Sequence, residues 1–195
     1  KALEHVGADA RLTADRAVIE EAAAVVLPGV GAFGRCMEAL HRTGLADLAV
    51  GAAASGRPFL GICVGMQLLF SESEEFGRHD GIGYFPGKVV RFPSDMPAQG
   101  GGVLKVPHMG WNDVEVLADH PVLEGIPSGT YFYFVHSYYA VPSDPGVAGC
   151  RTTYGVPFTS AVGQGNRFAV QFHPEKSQAA GLRLLGNFGR LCTAA

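Results

Sequence analysis

A sulfur at a strand-to-helix turn and an imidazole at a strand end are groups that cut amides, and this chain offers one of each. Gly61-Ile62-Cys63-Val64-Gly65 fits the nucleophile-elbow pattern, with Cys where a hydrolase has Ser. The elbow forces its central residue into a strained turn, and the flanking glycines leave room for neighbouring elements. It also puts Cys63 at a helix N-terminus, where backbone N–H groups stabilise an anionic sulfur. A second segment, Ala169–Glu175, ends in His173-Pro174-Glu175. An imidazole can accept the thiol proton and return it to a leaving amine near neutral pH. A nearby carboxylate can hold its tautomer and support its positive charge. Pro174 fixes a backbone dihedral between the two and stops the strand. Each segment alone also fits a plain role, as a buried structural cysteine or a surface turn. A Cys and a His at two strand ends together make a functional geometry. The other cysteines, Cys36, Cys150 and Cys192, lack such a context and read as structural.

Pro28-Gly29-Val30-Gly31-Ala32-Phe33-Gly34 follows an apolar strand directly. Such a loop can aim backbone N–H groups at a developing oxyanion. It also fits a simple turn between strand and helix. It is not a P-loop, because the closing Lys-Ser/Thr is missing.

These segments need a sheet to position them, and the first half of the chain predicts one. Lys1–Val6 reads as a helix tail, Asp9–Thr13 as a short strand, and Asp15 as the cap of a helix over Arg16–Ala22. Ala23–Leu27 and Pro58–Ile62 read as buried strands. Phe33–Leu40, Leu45–Ala54 and Val64–Phe70 read as helices. That alternation predicts an α/β fold, with a parallel sheet covered on both faces. The middle differs. Tyr84–Phe92, Val103–Pro107, Trp111–Leu117 and Thr130–Val141 are β-rich, and Gln99–Gly102 reads as a flexible loop within one domain. Strands over Arg151–Tyr154, Thr159–Val162 and Phe168–Phe172 follow. A helix over Ser177–Cys192 closes the chain, although its glycines weaken it. Cys63 and His173 then leave the carboxyl ends of strands, where open α/β sheets place their sites.

Composition excludes several functions. With 15 basic and 18 acidic residues the net charge is −3, and no basic cluster offers a footprint for nucleic acid. The charge-free stretch Gly125–Ser143 is interrupted by prolines and polar residues and is no membrane span. Four scattered cysteines without a Cys-x-x-Cys pair speak against a zinc site or disulfide framework and for a cytoplasmic protein.

The segments PGVGAFG, GICVGMQ and QFHPEKS occur in the order and spacing of class I (triad) glutamine amidotransferases, and the chain resembles that family over essentially its whole length. Pro107-His108-Met109-Gly110-Trp111-Asn112 and His136-Ser137-Tyr138-Tyr139 resemble more narrowly the glutaminase subunits of imidazole glycerol phosphate synthases, which serve histidine biosynthesis. The resemblance implies a three-layer α/β sandwich with a mostly parallel central sheet and an added antiparallel β section. It implies one domain over residues 1–195, here without the first strand and the D-Y-G-x-G-N-type loop with which the family begins.

The resemblance also implies a catalytic triad of Cys63, His173 and Glu175, and no metal or organic cofactor. Oxyanion donors would be the N–H of Val64 and that of Val30 or Gly31. Gln67, one helical turn after Cys63, would bind glutamine, and Ser137 and Tyr138 would line the same pocket. The implied partner is a (β/α)8-barrel cyclase that consumes the ammonia. It would dock on Met109, Trp111, Asn112 and Lys176, although Trp111 would also suit a core. Two other readings stay open: the glutaminase domain of a different amidotransferase, and a cysteine hydrolase of this fold acting alone.

Overall fold

The computed structural model describes residues 1–98 and 100–193. In chain order the elements are helices α1 (Ala2–His5) and α2 (Arg16–Glu21), strand β1 (Val25–Gly29), helices α3 (Phe33–Arg42) and α4 (Leu45–Ala54), strand β2 (Phe59–Cys63) and the single turn α5 (Val64–Gln67). Next come β3 (Phe70–Ser73), β4 (His79–Asp80), β5 (Phe85–Arg91), β6 (His108–Val116), β7 (Thr130–His136) and β8 (Tyr138–Pro142). The chain ends through β9 (Ala148–Tyr154), β10 (Val156–Gln164), β11 (Arg167–Val170) and helix α6 (Gln178–Thr193).

The strands form a mixed sheet in the order β1-β2-β11-β10-β8-β5-β3-β4, from which β9, β6 and β7 branch at β10. Parallel pairing, expected through most of the centre, is confined to β1 with β2, β2 with β11 and β3 with β5. The other pairings are antiparallel, so the added antiparallel section is the larger part. Side chains of the central strands alternate between two cores, as a pleated strand requires. Leu60, Phe168 and Val170 pack with Leu184, Leu185 and Phe188 of α6 on one face. Phe59, Cys63 and Ala169 pack with Phe33 and Met37 of α3 and with Ala52 and Ala53 of α4 on the other. Helices thus cover both faces, giving the three layers.

Local signals explain most elements. Asp15 caps α2 by accepting from Ala17 N at 2.9 Å. Three expectations fail. Asp9–Thr13 is not a strand: it finds no strand to pair with, and Leu12 is fully exposed. The helix after Cys63 stops at Gln67, because the carbonyls of Leu68 and Leu69 accept from Ile82 N and Phe85 N, and Phe70 opens β3. Val103–Pro107 forms only a bridge from Val103 to Pro97. Of the Gln99–Gly102 loop, Gln99 lies outside the described residues. Gly181, a weak point for a helix, has a packing reason: a Cβ there would come within 1.8 Å of Pro174 O. Only glycine lets α6 pass this close to the His173-Pro174-Glu175 turn.

Candidate active site

The register of β1 on β2 pairs Gly29 with Cys63, and that of β11 on β2 pairs Val170 with Ile62. The Val30–Gly31 loop and the segment leading to His173 therefore leave the sheet on either side of Cys63. Cys63 is buried and adopts φ 55° and ψ −112°, a region that side chains rarely occupy. This is the strained elbow expected from the motif. Its glycines are required by contact. A Cβ on Gly61 would lie 3.0 Å from both Ala169 Cβ and Gly65 O, and one on Gly29 would lie 2.8 Å from Gly65 N.

His173 lies three residues past the end of β11 and is anchored by its backbone. Its N–H donates to Tyr133 O at 2.9 Å, and Ser177 Oγ donates to its carbonyl at 2.6 Å while accepting from Tyr133 N. The ring is buried and its Nδ1 lies 2.7 Å from Glu175 Oε1. The carboxylate can only accept, so Nδ1 carries the proton. That leaves Nε2 buried without a hydrogen-bond partner. Burial alone would lower the imidazole pKa. The Cys63 sulfur and the Glu175 carboxylate, both acting on the ring, outweigh burial and push it up to about 9. Burial works against the Glu175 charge as well, but the His173 bond wins and its pKa falls.

The Val30 loop is held from two sides that its glycines did not reveal. Cys36 Sγ donates to Val30 O at 3.6 Å, and Glu75 Oε2 accepts from Phe33 N at 2.6 Å. Val30 is largely exposed, and Gly31 has φ 103°, which suits only glycine. Val64 directly follows Cys63, at the start of α5.

Gln67 is buried, and its Nε2 donates to Tyr138 O at 2.9 Å and to Gln171 Oε1 at 3.0 Å. Gln171 Nε2 in turn donates to Cys63 Sγ at 3.8 Å. Gln171 is not among the site residues expected from the sequence. Its signal is one amide in an otherwise apolar run, Phe168-Ala169-Val170-Gln171-Phe172, at the end of β11. Ser137 forms the bend between β7 and β8 and accepts from Phe92 N.

Met109 and Trp111 point outward from β6, and Trp111 is not a core residue. Its ring meets Tyr133 edge-on, and Lys176 Nζ lies 5.8 Å from the centre of the same Tyr133 ring. Asn112 departs from expectation. It occupies the inner face of β6, as the two-residue period dictates, and bonds to Thr153 O.

A buried elbow cysteine beside an imidazole–carboxylate pair has the groups that thiol-dependent acyl transfer requires. The chain belongs to the class-I glutamine amidotransferase family, whose model matches residues 3–190. Its relatives are narrower in kind. The imidazole glycerol phosphate synthase subunit HisH of Syntrophotalea carbinolica is 54% identical over 189 residues, covering 97% of this chain and 91% of that protein. The HisH subunits of Geobacter sulfurreducens and Pseudomonas putida are 50% and 54% identical. A solved glutamine amidotransferase superposes with TM-score 0.68 at 23% identity, covering 98% of this chain and 90% of that one, a likeness of fold.

Proposed function

We propose that this chain is the glutaminase subunit of an imidazole glycerol phosphate synthase, and that Cys63, His173 and Glu175 are its catalytic triad. What supports the reading most is the convergence, at adjacent strand ends, of the Cys63 elbow and the His173–Glu175 pair in a chain about half identical to HisH subunits.

In the proposed reaction the Cys63 sulfur, its proton held by His173, attacks the side-chain amide carbon of glutamine. The C=O π electrons move to oxygen. The N–H of Val64, with that of Val30 or Gly31, receives the oxyanion. His173 protonates the departing nitrogen, the C–N bond breaks, and ammonia leaves a thioester on Cys63. Water, deprotonated by His173, adds to the thioester, and glutamate departs as the sulfur regains its proton. Glu175 holds the ring in place throughout and supports its charge whenever it carries the second proton. Gln67, Ser137 and Tyr138 line the glutamine pocket; since both Gln67 N–H groups are in use, its free partner for glutamine is the carbonyl oxygen.

Ammonia that escapes to water is protonated and loses its nucleophilicity, so it is passed to a partner. That partner is a (β/α)8-barrel cyclase, docked over Met109, Trp111 and Lys176, which makes imidazole glycerol phosphate and an aminoimidazole carboxamide ribotide. Residues 1–195 act as one domain, in the cytoplasm, where thiols stay reduced. The test is glutamine turnover with and without the cyclase subunit and its ribotide ligand. Turnover should be low alone and rise strongly with both, as a population shift requires. Full activity in the isolated chain would favour a hydrolase acting by itself.

A further inference from the structure

On the opposite side of β6 from Met109 and Trp111 begins a polar chain whose Asn112, His108, His136 and Gln171 have no part in the steps above. Asn112 Nδ2 donates to Thr153 O at 2.9 Å and lies 3.2 Å from His108 Nε2. His108 Nδ1 is 3.1 Å from His136 Nε2, and His136 Nδ1 is 2.8 Å from Tyr138 O. The same carbonyl accepts from Gln67, which donates onward to Gln171, whose amide reaches Cys63. His108, His136, Gln67 and Gln171 are all buried. His108 is further fixed by stacking on Tyr154 and Phe134, at 4.1 and 4.8 Å between ring centres.

Two backbone carbonyls fix every proton in this chain. Thr153 O can only accept, so Asn112 presents its NH2 group, and His108 Nε2 must accept from it. Tyr138 O can only accept, so His136 donates from Nδ1 and accepts at Nε2. His108 must then donate from Nδ1. Both ends therefore demand the same tautomer, Nδ1–H, on both rings. Burial keeps them neutral, lowering His108 to about 4 and His136 to about 3. Tyr138 O also orients the Gln67 NH2 group. That group leaves Gln171 Oε1 as the acceptor, so the Gln171 NH2 faces the sulfur.

We infer that Asn112, His108, His136 and Gln171 are positioning residues for glutamine hydrolysis: linked through the Tyr138 carbonyl and the amide of Gln67, they aim an N–H donor at the Cys63 sulfur and tie it to the strand that carries Met109 and Trp111. The inference rests on Cys63 being the nucleophile. A hydrogen bond to an anionic sulfur is stronger than one to a neutral thiol, so this donor steadies the sulfur before attack. From Asn112 to Tyr138 O the hydrogen bonds run head to tail and polarise one another, and at that oxygen His136 and Gln67 share one acceptor, so a change at β6 alters the hold on Gln67 and, through it, Gln171.

Long-range proton–nitrogen spectra of the histidine-labelled full chain near neutral pH test the relay directly. Both His108 and His136 should be neutral and protonated on Nδ1. Asn112→Asp replaces the donor by an acceptor and should move the His108 proton to Nε2 or add a second proton. It should slow alkylation of Cys63 by iodoacetamide and lower kcat for glutamine by about tenfold, the scale of one hydrogen bond, with KM little changed. Gln171→Glu keeps the acceptor for Gln67 and removes the donor to sulfur. It should cause at least the same loss, even where the Asn112 variant fails to fold. Nε2–H on either ring of the unaltered protein overturns the inference, as do unaltered alkylation and kcat in both variants. The tautomers are read without turnover. Failure here is therefore distinct from failure of the Cys63 assignment, which would appear as retained turnover in Cys63→Ala.

Discussion

Gly65 lies so close to Leu27 that a Cβ on the glycine would sit 1.9 Å from the Leu27 carbonyl oxygen. Two backbones, not flexible side chains, make this contact, and it sets the depth at which the Cys63 elbow rests on β1. Gly65→Ala should therefore cost about 1–3 kcal/mol, the scale of overpacking in a tight core. Glutamine turnover should fall further than the loss of folded protein explains. Urea midpoints and kcat on the same samples measure both.

Glu175→Gln should alter the titration of His173. In the unaltered protein His173, pushed up to about 9, keeps a proton that an ordinary imidazole at 6.5 has lost. Its contribution to stability is complete below 6.5 and is lost as pH rises through 9. Without the Glu175 charge, burial has less to oppose it and the His173 pKa should fall. An NMR titration of the His173 ring gives the answer, and a value unchanged near 9 would speak against the Glu175 contribution.

His108 and His136 act in the opposite direction. Both are lowered by burial, to about 4 and about 3, so the unfolded chain binds protons that the folded protein refuses. Their contribution is present above 6.5 and is lost as pH falls through 4 and then 3. Urea midpoints should decline as pH falls below 6.5. His108→Phe, set between two aromatic rings, should make that decline shallower by about one proton's worth.

Trp111 and Lys176 should matter to assembly and little to folding. Trp111 is 46% exposed and Lys176 meets Tyr133 at the surface. Trp111→Ala should leave thermal stability within about 0.5 kcal/mol. Its affinity for the cyclase should drop by about tenfold or more, as for an aromatic anchor at an interface. Calorimetric titration with the cyclase measures the second effect.

The sequence made the elbow, the His173-Pro174-Glu175 turn and the helices α3, α4 and α6 readable, because each carries a local signal: glycines around Cys63, a proline after His173, apolar positions at helical spacing. What stayed hidden depends on long-range pairing. Leu68 to Phe70 looked helical until Ile82 and Phe85 claimed their carbonyls. The width of the parallel sheet depended on which strands β10 would join, and β10 itself pairs with three others. The resemblance places Asn112 with Trp111 on the docking surface, whereas adjacent strand residues point to opposite sides. Gln171 and His108 meet partners 104 and 28 residues away, which no local pattern announces.

Attack of the Cys63 sulfur on glutamine is the step on which the proposed function turns. A glutamine-like chloroketone, followed by peptide mass spectrometry, tests it most directly. One label should appear on Cys63, glutamine should slow its arrival, and Cys63→Ala should neither take the label nor release ammonia from glutamine. Label on Cys36, Cys150 or Cys192 instead, or ammonia release by Cys63→Ala above background, would contradict it.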